Sequence, residues 1–152
     1  MSTLVKGIAE QLKQEHQMIG EAVKALRELV ERPVSPREEQ TVWLNSVRDQ
    51  LFSLGSHLKT HLAFEEFGGF MEEVVGLSPN DSPQIERLKQ DHQTILAESE
   101  RLCKMVSKGL AASIIPQLRR KILHHLEALN RHEHTENGLV QRVLTGDLGI
   151  TD

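Results

Sequence analysis

The chain has 152 residues, 18 Lys and Arg against 22 Asp and Glu, a formal net charge of −4 and a single cysteine. That length suits one domain around one core, the acidic balance argues against nucleic acid as a main partner because phosphate recognition needs a concentrated basic face, and a lone Cys103 excludes an internal disulfide. No apolar run approaches the roughly eighteen residues that span a bilayer, and the N-terminal MSTLVKGIAEQL carries no secretory pattern, so a cytoplasmic protein with no membrane partner is expected.

Apolar residues recur every three or four positions almost throughout, with no sustained alternation, which predicts an all-α fold. The first helix carries Val5, Ile8, Leu12, His16, Ile19, Val23, Leu26 and Val30 on one stripe and ends near Arg32-Pro33. Ser35, Pro36 and Glu38 stand where the N-cap, N1 and N3 of a second helix belong. Its stripe is Val47, Leu51, Leu54, Leu58, His61 and Glu65, and Gly68-Gly69 just beyond predicts a kink or a point of access. The third helix opens at Ser82-Pro83, carries Ile85, Leu88, His92, Ile95, Leu102 and Val106, and stops at Gly109. The fourth begins near Ser113 or Pro116 and runs through Leu118, Ile122, His125, Leu129, His132, Glu136, Leu139 and Val143. Four long helices with short connections predict an antiparallel up-and-down four-helix bundle.

Eight histidines are too many for chance scatter in such a chain, and their placement is ordered. LKQEHQMI at residues 12–19 returns as LKQDHQTI at residues 88–95, setting His16 and His92 in the apolar stripes of the first and third helices. The second and fourth helices carry His61 with Glu65 and His132 with Glu136, each pair at i and i+4 and so on one helix face. A lone stripe histidine reads most simply as a hydrogen-bonded core residue. Four of them with two inward carboxylates do not, because buried carboxylates without partners cost several kcal/mol each. A pair of cations resolves this. Imidazole with bridging carboxylate from facing helices is the donor set of a non-haem di-iron or di-manganese site. Two histidines and two bridging oxygens give each metal four donors and leave room for a bridging oxide or hydroxide and one external ligand.

The set His16, His61-Leu-Ala-Phe-Glu65, His92 and His132-Glu-His-Thr-Glu136 resembles the hemerythrin-like proteins of the HHE cation-binding type over nearly the whole chain. The resemblance implies a bundle around two iron ions that bind dioxygen or a related small ligand, with His16 and His61 on one iron, His92 and His132 on the other, and Glu65 and Glu136 bridging. Manganese or zinc are the other metals such donors accept. The chain departs from the oxygen carriers of that family, which place a second histidine where Leu96 stands and close on HxxxxD where this chain has HxxxE. The functions in view are a dioxygen carrier or sensor, a redox enzyme acting on peroxide or nitric oxide, and iron storage or homeostasis. Signalling would require a homodimer or another protein partner.

The octapeptide repeat predicts a single domain over residues 1–152 made of two related helical hairpins, about 1–76 and 82–145. His16 to His61 exceeds His92 to His132 by five residues, which must lie in the 31–46 connection or in an overhang of the second helix. His57, one turn before His61, is a seventh candidate, either a fifth imidazole or a rim histidine beside the site. His125 reads as a polar core residue, His124 and His134 as solvated, and Glu133 as lying off the stripe of the fourth helix. Phe64, Phe67 and Phe70 crowd the sequence around Glu65 and predict apolar walls that restrict the pocket to small ligands. With no tyrosine in the chain, a tyrosyl ligand is excluded.

Overall fold

A computed structural model describes residues 3–34, 37–67, 69–108 and 114–149. The chain forms α1 (Thr3–Glu31), α2 (Arg37–Phe67), α3 (Phe70–Leu77), α4 (Ser82–Ser107) and α5 (Ile115–Gly149), the four long ones where the 3.6-residue stripes run unbroken, and no strand occurs among the described residues. The expected third and fourth helices are α4 and α5. The Ser35-Pro36 start of α2 and the stop at Gly109 lie outside the described residues. Pro83 and Pro116 stand in the first turns of α4 and α5, where a missing N–H costs nothing.

The four long helices close into an antiparallel bundle in which α1 and α4 each pack on both α2 and α5. The predicted stripes face inward from Ile8, Val47, Ile85 and Leu118 onward, with Val106 half-buried and the side chain of Val5 outside the described residues. A larger apolar cluster joins Leu26, Val30, Trp43, Val47, Leu51, Leu118 and Ile122 towards one end, and a smaller one joins Ile8, Leu12, Ile85, Leu88, Leu139 and Val143 towards the other. No helix among the described residues is long and apolar enough to cross a membrane.

α3 is the element that periodicity does not anticipate, because its apolar residues read as a continuation of α2. Gly69 takes φ 92°, a left-handed conformation that costs glycine little, and the chain re-enters a helix at Phe70 instead of merely kinking. α3 then packs Phe70, Met71 and Val74 against the smaller cluster and covers that end of the bundle.

The five surplus residues of the first hairpin lie in α2. Glu31 and Ser107 end their helices equally far beyond His16 and His92, whereas Arg37 to His61 is seven residues longer than Ile115 to His132 and the shorter connection takes back two. The overhang carries Trp43. Its ring is buried, its Nε1 donates to the Leu29 carbonyl at 2.8 Å, and the Arg119 guanidinium lies over it at 5.0 Å.

Candidate metal centre

His16 from α1, His61 and Glu65 from α2, His92 from α4, and His132 and Glu136 from α5 meet in one buried layer between the two apolar clusters. Glu65, His92 and Glu136 are 0% exposed. The six form two groups that share both carboxylates: His16, His61, Glu65 and Glu136 in one, Glu65, His92, His132 and Glu136 in the other, with the inward atoms of each group within 4.8 Å of one another.

The contacts of one hairpin recur in the other. His61 Nε2 lies 2.8 Å from Glu65 Oε1, and His132 Nε2 lies 3.1 Å from Glu136 Oε2. The rings of His16 and His61 stand edge to face at 4.7 Å and 71°, those of His92 and His132 at 4.8 Å and 68°. Across the hairpins the match loosens, with His16 Nε2 at 2.7 Å from Glu136 Oε1 but His92 Nε2 at 4.0 Å from Glu65 Oε1.

Each ring turns Nε2 inward and Nδ1 outward. His61 Nδ1 meets Glu15 Oε2 at 3.2 Å, His132 Nδ1 meets Asp91 Oδ2 at 3.4 Å, and His16 Nδ1 meets Asn137 Oδ1 at 2.9 Å. Glu66 Oε2 stands 3.8 Å from His92 Nδ1. The acceptors at His16, His61 and His132 favour the ring proton on Nδ1 and an Nε2 lone pair facing the layer, the orientation that metal-bound histidines take from their outer partners, while His92 Nδ1 has no hydrogen-bond partner. Sequence reasoning missed this ring of acceptors. Its signal was the acidic residue of the repeat, since Glu15 and Asp91 each precede one histidine and bond the next helix's.

The inward atoms suit cations and little else. All four oxygens of Glu65 and Glu136 are buried without a completed hydrogen bond, and such groups are normally satisfied. His92 Nε2 and His132 Nε2 face each other at 3.1 Å, a contact that is a hydrogen bond if one of the two carries a proton and a repulsion of lone pairs if neither does. Two imidazoles bound side by side on one ion at about 2.1 Å would stand about 3.0 Å apart.

The charges show the same strain. Burial, together with contact with Glu136, pushes the Glu65 carboxyl well above the usual range. Burial alone would raise Glu136 too, but contacts with Glu65, His132, His16 and His92 outweigh it and hold Glu136 well below. Burial and the nearby His16 lower His61 to about 4. His16 and His132 are raised despite burial, because Glu136 lies against both. Two carboxylates thus compete for the same few protons, a conflict that cations would remove by holding both ionised.

A family model described as the hemerythrin HHE cation-binding domain matches residues 7–144. The chain belongs to that family. No curated protein and no solved structure matches it. Family membership makes this hemerythrin-like chain a cation-binding protein, and the buried layer of histidines and glutamates is where its geometry would accept the metal.

His57 stands apart from the layer in this HHE domain: it is exposed and belongs to neither group. At about 100° per residue His57 falls roughly 40° beyond His61, past the edge of the buried stripe of α2. His125 is 2% exposed, and burial lowers its imidazole. His124 and His134 are exposed. Glu133 departs from expectation. It is half-buried beside His16, because it follows Leu129 by four residues and shares that residue's face. Burial pushes its carboxyl up to about 7. Phe64 and Phe70 pack in the smaller apolar cluster, while the side chain of Phe67 lies outside the described residues.

Proposed function

We propose that this protein holds two iron ions in the buried layer and binds dioxygen or a related small ligand there, as a carrier or sensor. The observation that carries the reading is the convergence of four Nε2 atoms on two carboxylates whose oxygens have no completed hydrogen bonds. His16 and His61 would hold one ion, His92 and His132 the other, and Glu65 and Glu136 would bridge. Iron is favoured because mixed imidazole and carboxylate donors on facing helices suit it, with manganese and zinc as competitors for the same atoms.

Bound iron would supply coordination positions at which a small ligand attaches. The chain supplies the rest. Glu15, Asp91 and Asn137 fix the imidazole tautomers, so Nε2 stays unprotonated and aimed inward. The apolar clusters above and below keep bulk water out and so strengthen the electrostatic hold on whatever binds. Two grooves approach the layer, one between α1 and α5 reaching His16 and one between α4 and α5 reaching His132.

Metal analysis with optical spectra, taken before and after reduction and air exposure, tests the reading. Two irons per chain and a reversible spectrum on oxygenation are expected. Rapid irreversible oxidation with turnover of peroxide or nitric oxide would replace the carrier with a redox enzyme, irreversible iron accumulation would point to storage, and protein that takes up no iron would sink the proposal.

A further inference from the structure

The two hairpins repeat each other's chemistry around the layer except at two places, and both lie beside His16. Matching His61 to His132 and Glu65 to Glu136 sets Leu62 against Glu133 and Glu66 against Asn137. Leu62 is buried. Glu133 is half-buried in the wall of the α1–α5 groove, with a buried Oε1 that has no hydrogen-bond partner. Glu66 turns a carboxylate towards His92 Nδ1, while Asn137 offers His16 Nδ1 only an amide oxygen.

Counting the outer carboxylates makes the imbalance plain. The His92 and His132 side has Glu66 and Asp91 behind its imidazoles, whereas the His16 and His61 side has Glu15 alone. A multivalent ion in a dry layer is stabilised by each anionic group that reaches it and disfavoured where its charge goes uncompensated. Glu133 stands where the missing negative charge is needed. It also lines the larger of the two grooves, of about 870 Å³ against about 180 Å³ on the His132 side.

We propose that Glu133 is a seventh ligand, giving a carboxylate oxygen to the ion at His16 and His61. That ion is then the fuller of the two, and the ion at His92 and His132 keeps the position for an external ligand. The inference rests on the two-ion reading above and assigns to Glu133, which like His57 lies outside both groups of inward atoms, the inequality that the exposed His57 does not supply.

The test uses the full chain loaded with iron, followed by Mössbauer spectroscopy and graded chelation. The parent should show two unequal quadrupole doublets, only one of which azide perturbs. Glu133→Gln, which keeps the side-chain volume, should draw the doublets together and make one ion about tenfold or more easier to remove, the scale of loss found even for outer partners of a metal ligand. The azide-sensitive ion should be unaffected. Glu133→Leu, which copies Leu62, should do the same. Unchanged doublets and chelation midpoints in both variants would overturn the proposal, as would equal weakening of both ions. A parent that binds no pair of ions would instead sink the two-ion reading itself.

Discussion

Burial and the charge of His16 hold the His61 imidazole down to about 4, against 6.5 for an unperturbed histidine, so between those values the unfolded chain takes up a proton that the folded one refuses. More protons on the unfolded state means that this residue's contribution to stability falls as pH falls through that window. Glu133 acts in the opposite sense. Its buried carboxyl keeps a proton up to about 7 that the unfolded chain has lost above 4.5, so its contribution falls as pH rises between those values. In protein stripped of metal, Glu133→Gln should remove the second effect and leave the first. Urea unfolding at closely spaced pH values should therefore show the variant gaining on the parent from about pH 4.5 to about pH 7 and no further above it. A difference constant with pH would refute the burial assigned to Glu133. That burial is hard to read in sequence because Glu133 lies about 40° beyond Leu129, towards the edge of the α5 stripe, where an acidic residue reads as solvated.

Between elements, α2 comes close to α4 at Gly55, where an added Cβ would lie 2.9 Å from the Oγ of buried Ser99. In an isolated helix Gly55→Ala would be favourable by up to about 1 kcal/mol. Here the clash should dominate, and overpacking of this kind typically costs about 1–3 kcal/mol. The sign should therefore depend on the neighbour: destabilising alone, stabilising when Ser99→Ala has removed the hydroxyl. Denaturant unfolding of the two single variants and the double variant reads this out, and additive effects would show that the helices do not meet at this point. The sequence carries both residues but no sign that they face each other. It is equally silent on α3, since Gly68-Gly69 marks a disturbance without saying whether the chain bends or breaks. The φ of Gly69 and the apolar end of the bundle decide that.

At the scale of the molecule, a polar layer divides one core into two apolar clusters, and its carboxylates are tolerable together only if their charge is met. Cation binding and folding should accordingly be coupled. At metal concentrations about a thousandfold above the dissociation constant, binding adds roughly 4 kcal/mol to the folded state. For a chain of this length each kcal/mol moves the melting temperature by roughly 2–4 °C. Chelation is therefore expected to lower the calorimetric midpoint by roughly 10 °C, with re-addition of iron restoring it. An unchanged midpoint would mean that the layer is equally stable without ions, against its assignment as a metal site.

Helical class, the inward stripes and the six histidines and glutamates were legible in the sequence alone, because each rests on spacing within one helix: the 3.6-residue period for the stripes, i to i+4 for His61 with Glu65 and His132 with Glu136. What only the tertiary structure decided concerns how each helix is rotated and what stands across from it. A shift of about 40° around the axis of α2 separates buried His61 from exposed His57, and a comparable step on α5 brings Glu133 in beside His16. The pairing of Glu15 with His61 and of Asp91 with His132 joins residues on different helices. The repeat marks Glu15 and Asp91 but not their partners, because the depth and rotation at which two helices meet are set by the packing of all their buried side chains together.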